Sequence, residues 1–275
     1  MTKTKIIFFG NGPLADYALE ALQANNCEIV FHAREKSDLE EVKSIKSADQ
    51  KGELHAILAS FGVIIKQDLL DLFEPEGILN IHPSLLPKYR GPSPIETAIL
   101  NGDTEFGVSV MKLVAAMDAG PIYYQKSFSY ERATKTTLYQ DLATHAAEWL
   151  ANHLSHQPLS ETCTPVTQDD ALATYTKKFD KSMSSLDPEH KTAEELDCQI
   201  RAFAGYPKSK YSFYNLDCTI ISAHVASPAE KESLTTNKKS LYLSCYDKSV
   251  LIIDQIQPAG RKIMGSQSFL NGYAK

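Results

Sequence analysis

Short apolar runs and helical patterns alternate along the first half of the chain. The runs Lys5–Phe9, Glu28–His32, His55–Ser60, Gly77–Ile81 and Gly107–Lys112 predict strands, and Pro13–Ala24, Lys66–Phe73 and Pro94–Leu100 predict helices. Strands separated by helices in this order are the pattern of an α/β fold with a doubly wound, mainly parallel sheet. Residues 136–156 predict a longer helix with Leu138, Leu142, Ala146, Trp149 and Leu150 on one face. From about Pro158 to Pro188 the chain turns polar and irregular, which predicts a boundary between domains. The expected division is a first domain over 1–172, a linker over 173–189 and a second domain over 190–275. The second opens on a capping box, Thr192-Ala193-Glu194-Glu195, ahead of a helix burying Leu196, Ile200 and Phe203. The β-rich runs Lys210–Tyr214, Thr219–Ala226, Ser240–Tyr246 and Val250–Gln257 follow, with turns between them. They predict a small antiparallel barrel.

One strand tip carries candidate chemistry. Asn80 and His82 end the fourth predicted strand, and side chains two apart on a strand point the same way. Pro83 holds His82 extended and prevents a helix from starting there. An amide donor beside a titratable imidazole suits chemistry at a carbonyl, where one steadies an oxyanion and the other moves a proton. By spacing alone such a pair is more often structural. The long proline-bounded loop that follows, Ser84 to Pro94, strengthens the functional reading, because open α/β sheets bind ligands at the carboxyl ends of their strands.

Composition narrows the class of protein. With 43% hydrophobic and 23% charged residues, the 275-residue chain is that of an ordinary globular protein without a membrane span or signal segment. Its five cysteines are scattered, odd in number and never in a CxxC pair, as expected of a reduced cytoplasmic protein with neither zinc site nor disulfide framework. The net charge of −6 argues against indiscriminate nucleic-acid binding. Its distribution is uneven. Residues 1–189 hold 17 Lys and Arg against 26 Asp and Glu, and residues 190–275 hold 11 against 8, which is compatible with a polyanion at the second domain.

The first turn, Gly10-Asn11-Gly12-Pro13-Leu14-Ala15, matches a GxGxxA dinucleotide fingerprint between strand and helix. The next strand ends Phe31-His32-Ala33-Arg34, with no acid to hold a ribose, so a structural tight turn is expected. Tyr206, Tyr211, Phe213 and Tyr214 could stack on nucleotide bases, but the burial preference of aromatics favours a barrel core.

The stretch Asn80-Ile81-His82-Pro83-Ser84-Leu85-Leu86-Pro87, with Gly91, Pro94-Ile95 and Met117-Asp118-Ala119-Gly120-Pro121-Ile122, resembles the formyltetrahydrofolate-dependent formyltransferases. Ala173 to Lys178, Ile200 to Phe203 and the ending Gln257 to Met264 with Phe269 to Gly272 resemble the methionyl-tRNA formyltransferase subfamily. The resemblance implies a Rossmann-like catalytic domain followed by an OB-like domain that helps hold tRNA. It also implies a catalytic trio of Asn80, His82 and Asp118, and a folate segment over Ser84, Leu85, Leu86 and Pro87. The co-substrate implied is 10-formyltetrahydrofolate, without a metal. The partner implied is methionyl-tRNA, met by a cytoplasmic monomer without membrane attachment.

The implied reaction moves a formyl group onto the free amine of methionyl-tRNA. An α-amine titrating near 7.7–8.0 is partly neutral, hence nucleophilic, near pH 7. The resemblance makes Asn80 the oxyanion donor and His82 the proton carrier. Asp118, otherwise a common turn residue, becomes the carboxylate that orients the imidazole. Lys88 and Arg90 are candidate phosphate contacts. One departure stands out. Many relatives insert a basic, glycine-rich loop after the second strand, and here Arg34 to Glu41 is short and nearly charge-balanced, with Arg34 as a candidate remnant of its anchor. The short loop keeps a second acceptor class open, a small amine such as a nucleotide-linked amino sugar. A catalytically idle RNA-binding module is the reading from another class, and the intact trio opposes it.

Overall fold

The computed structural model describes residues 3–154, 159, 163–236 and 240–274. It divides into two compact units. The first comprises residues 1–95, 104–132 and 136–177, and the second residues 96–103, 133–135 and 178–275. Pro158, where the polar stretch was expected to begin, lies outside the described residues, as do residues 155 and 156 of the long predicted helix.

Six strands form the sheet of the first unit: β1 (Thr4–Phe9), β2 (Cys27–Ala33), β3 (Leu54–Leu58), β4 (Ile78–His82), β5 (Glu105–Lys112) and β6 (Ile122–Ser129). Their order is β2-β1-β3-β4-β5-β6. The pairs β1–β2, β1–β3 and β3–β4 are parallel, whereas β4–β5 and β5–β6 are antiparallel. Ile6 to Phe9 are buried, as strands covered on both faces require, and Phe9 meets Phe61 and Phe73 edge-on within a shared core. The helices α1 (Pro13–Ala24), α2 (Leu39–Ala48), α3 (Gln67–Leu70), α4 (Pro94–Leu100) and α5 (Lys135–Leu154) come in the expected places except α2. That helix begins within the short stretch Arg34 to Glu41 and runs on where the sequence pattern predicts no element. Its polar face is broad and Val42 is its one buried residue, so its apolar periodicity is faint. Strand β6 was also not foreseen. Its one strand partner among the described residues is β5, with a single bridge from Ile122 to Val166 on its other side, and its face is largely exposed, so it has no apolar run.

The turn between β1 and α1 is tight for a steric reason. A side chain at Gly10 would collide with the carbonyl of Ala59. Its polar groups are spent within the protein: His32 Nε2 meets the Gly10 carbonyl at 2.8 Å and Asn11 donates to the Arg34 carbonyl at 3.0 Å.

In the second unit, helix α6 (Ala193–Ala202) starts at the predicted capping box, with both reciprocal bonds between Thr192 and Glu195 in place. Five antiparallel strands follow: β7 (Ser209–Phe213), β8 (Leu216–Val225), β9 (Tyr242–Ser244), β10 (Val250–Pro258) and β11 (Met264–Gly265). The path runs β11-β10-β8-β7, and β9 pairs with the other end of β10. Helices α7 (Pro228–Thr236) and α8 (Ser266–Tyr273) complete the unit. Its core joins Leu196 and Ile200 of α6 to Ile220, Leu251, Ile253 and Phe269. Full burial of Phe269 contributes about 1.5–3 kcal/mol and explains the terminal Phe-Leu-Asn-Gly segment as packing. The aromatics divide: Phe213 is buried and Tyr211 packs on the core, whereas Tyr206 and Tyr214 are exposed. Among the described residues no helix is long and apolar enough to cross a membrane.

Candidate active site

Strand β4 is buried throughout and carries Asn80 and His82 to its carboxyl end. Antiparallel pairing sets Asn80 opposite Met111 of β5 and His82 opposite Ser109. The carboxamide of Asn80 has no hydrogen-bond partner among the described residues, although the residue is 5% exposed. Buried amides are normally satisfied internally, so this one is an exception among the buried polar groups of the sheet.

His82 is fixed from the loop that follows it. Its Nε2 lies 3.0 Å from the carbonyl of Tyr89. A carbonyl only accepts, so Nε2 carries the hydrogen. The other ring nitrogen, Nδ1, faces Asp118 Oδ2 at 3.7 Å. That distance is too long for a hydrogen bond, so the carboxylate faces the ring nitrogen without bonding to it. Asp118 is itself held by the backbone N–H of Gly91, which donates to Oδ2 at 2.7 Å. Three predicted residues thus meet in one place, Asn80 and His82 on one strand and Asp118 from the turn before β6.

The segment Ser84 to Pro87 leaves the same strand tip and is rigidly pinned. The hydroxyl of Ser109, completely buried, donates to the Ser84 carbonyl at 2.6 Å and accepts from the Leu86 N–H at 3.1 Å. Gln125 of β6 donates to the Leu86 carbonyl at 2.7 Å and to Ser109 Oγ at 2.9 Å. Thr174 N–H closes on the Pro87 carbonyl at 3.2 Å. With its polar backbone engaged inward, the segment leaves Leu85, packed against Gly107, and Pro87 half-buried.

Arg90 departs from expectation. It is 2% exposed, so it is no phosphate contact on the surface. Its Nε and a terminal nitrogen grip Gln168 Oε1 at 3.0 and 2.8 Å, and it pairs with Asp170 at 2.8 Å. Burial works against its charge, but the bonds to Asp170 and Tyr175 more than offset that and raise its pKa above the usual value. Lys88 is exposed and lies over the Tyr89 ring. The signature around Ala173 acquires a reason here. Thr174 and Thr176 hydroxyls accept from the N–H groups of Tyr89 and Ser93, and Arg90 pairs in a parallel bridge with Tyr175. Sequence reading missed Gln168, Ser109 and Gln125. They sit far from the motif in the chain and carry no distinctive spacing, so only Ser109's register opposite His82 could have signalled one of them.

Arg34, the candidate tRNA-loop remnant, is exposed at the end of β2, where its Nε donates to His32 Nδ1 at 3.3 Å. A short 3-10 turn over Lys36–Asp38 links it to α2.

A nearly buried amide, an oriented imidazole and a carboxylate at one sheet end are the furniture of acyl-group transfer. Comparison with known proteins places the chain within that class. A model described as formyl transferase matches residues 15–154, and one described as formyl transferase, C-terminal domain, matches residues 178–274. The chain belongs to the formyltransferase family. It is 34% identical over 222 residues to a methionyl-tRNA formyltransferase of Granulibacter bethesdensis, covering 79% of this chain and 68% of that protein. A methionyl-tRNA formyltransferase of Gluconobacter oxydans is 31% identical over 260 residues, covering 92% and 81%. Among solved structures, HypX from Aquifex aeolicus in complex with tetrahydrofolic acid superposes with a TM-score of 0.70 at 15% identity. The match covers 100% of this chain and about half the length of HypX, 48%, and speaks to the fold alone.

Proposed function

We propose that this chain transfers the formyl group of 10-formyltetrahydrofolate to the free α-amine of methionyl-tRNA. The observation that carries the chemistry is the unpartnered carboxamide of Asn80 next to the His82–Asp118 pair. The acceptor is read from the relatives. Those matched at 31–35% identity over 78–92% of this chain share the one name.

A new bond forms between the α-nitrogen and the formyl carbon, the bond from that carbon to N10 breaks, and a proton passes from the amine to N10. Asn80 donates to the formyl oxygen as negative charge develops there. His82 takes up the amine proton at Nδ1 and returns it to the leaving nitrogen, with Nε2 held throughout by the Tyr89 carbonyl. Asp118 stabilises the imidazolium between those two events. Ser84, Leu85, Leu86 and Pro87 form the wall against which the folate ring packs. In this division of labour residues 1–172 carry catalysis, 173–189 connect, and 190–275 hold the tRNA.

The test is direct. The protein is incubated with 10-formyltetrahydrofolate and either methionyl-tRNA or a nucleotide-linked amino sugar, and product is followed in both. Formylation of the tRNA substrate alone is expected. Formylation of the amino sugar alone would overturn the acceptor assignment, and reaction of neither would overturn the activity.

A further inference from the structure

A buried relay leads from the loop after His82 to the backbone of Asp118. Gln168 is its hinge. Its Oε1 accepts from two nitrogens of Arg90, and its Nε2 donates to the carbonyls of Asp118 and Gly120 at 2.9 and 2.7 Å. Every polar atom of the Gln168 side chain is therefore engaged, and both Gln168 and Arg90 are buried.

The segment being gripped needs a grip. Asp118 has φ of 48°, in the left-handed region that costs a residue with a Cβ roughly 1–2 kcal/mol. Two residues on, Gly120 lies so close to the Lys112 carbonyl that any side chain would collide with it. A turn with an unfavourable dihedral at Asp118 needs outside contacts to hold it, and the Asp118 carboxylate faces His82 only while the turn is held. Gln168 bonds the carbonyls on both sides of Ala119 and so supplies such contacts. Arg90 fixes Gln168 in turn, and its chain neighbours make the other contacts of the site: Tyr89 accepts from His82 and Gly91 donates to Asp118. One tripeptide thus senses both members of the pair, and the relay ties the turn to it.

We propose that Gln168, braced by Arg90, is a positioning residue that sets the Asp118 carboxylate opposite His82 Nδ1 for formyl transfer. This rests on the catalytic reading of Asp118 given above. It concerns positioning, since neither Gln168 nor Arg90 touches the reacting atoms.

Gln168→Glu is the sharp variant. It keeps the shape and the acceptor that Arg90 requires and removes both donors to the turn. The full-length protein, the double variant Arg90→Met/Gln168→Leu, which replaces the whole relay with apolar side chains, and Asp118→Asn are compared with wild type. Melting temperature, kcat, KM for 10-formyltetrahydrofolate and the pH profile of kcat/KM are measured. Expected for Gln168→Glu are a melting temperature near wild type, kcat lower by tenfold or more, KM within threefold, and a profile displaced in the direction seen for Asp118→Asn. Gln168→Glu or the folded double variant within twofold of wild-type kcat, with Asp118→Asn disabled, overturns the relay and leaves the reading of Asp118 standing. Near-wild-type kcat in Asp118→Asn removes the reading itself and the relay with it. A kcat loss accompanied by an unshifted pH profile also overturns it, because the residue would then act on folding and not on Asp118.

Discussion

The Tyr89 carbonyl accepts a hydrogen bond from His82 Nε2 at 3.0 Å, which leaves Nδ1 as the ring nitrogen that faces Asp118. With Nε2 occupied as a donor, the proposed proton transfer runs through Nδ1, on the side of Asp118. His82→Ala should therefore lower kcat by about 10²–10⁴-fold, the range for loss of a general acid–base. Asn80→Ala should lower it by about 10²–10³-fold, as for an oxyanion donor. Single-turnover formyl transfer measures both, and a rate within a few-fold of wild type for either would remove that residue from the chemistry.

Ser109 predicts a different kind of defect. Its buried hydroxyl holds the Ser84 carbonyl and the Leu86 N–H, and it accepts from Gln125. Ser109→Ala leaves those groups short of partners and should destabilise the protein by about 1–3 kcal/mol. The loosened segment should raise KM for 10-formyltetrahydrofolate more than it lowers kcat. Steady-state kinetics together with urea melts read the two effects, and an unchanged KM would dissociate the segment from folate.

Gly91 has φ of 111°, and a side chain there would press on the Thr176 hydroxyl. Gly91→Ala forces the N–H that holds Asp118 to move, at a conformational cost of about 1–3 kcal/mol. Both a lower melting temperature and a lower kcat are expected. A variant that melts like wild type would show that the loop has another conformation available at no cost.

The second unit contains a pH-sensitive cluster. His224 lies between Asp254, at 2.9 Å from Nδ1, and Glu230, at 3.1 Å from Nε2. Burial draws its pKa down, but the two carboxylates more than offset that and leave it above the ordinary 6.5. The Ser227 hydroxyl and backbone N–H, with His224, hold the Glu230 carboxyl down at about 2. A raised histidine pKa means stabilisation present below 6.5 and lost as pH rises through the folded value. A depressed carboxylate means stabilisation present above 4.5 and lost as pH falls towards about 2. The cluster should thus stabilise most between 4.5 and 6.5. The gap in melting temperature between wild type and His224→Gln should narrow from about pH 6 to pH 8.5. A gap that stays constant would show the cluster to be uncoupled from folding.

Legibility in the sequence followed signal strength. The apolar runs of β1, β3 and β4 are buried on both faces and announce themselves, and α1 and α4 come at their predicted bounds because Pro13 and Pro94 mark their starts. Edge strand β6 and the polar helix α2 were illegible for the opposite reason, since each buries little. Asn80 and His82 come to one strand end as their spacing implied, and Asp118, singled out only by the family resemblance, lies beside His82. Arg90 was misread because a charged residue in a loop is usually solvated, and nothing local records that Gln168, far along the chain, is there to receive it.

By itself the sequence determined the α/β class, the strand tip bearing Asn80 and His82, the capping box at Thr192 and the order of the β-runs in the second unit. Each of these follows from side-chain alternation, proline restriction or local capping, which act over a few residues. Only the tertiary structure decided that His82 turns Nδ1 towards Asp118, that Asp118 stands 3.7 Å from it, and that Ser109, Arg90 and Gln168 hold the surrounding loops. Those facts depend on hydrogen bonds between residues tens of positions apart. Such bonds exist only once the sheet and its loops have brought the partners together out of water.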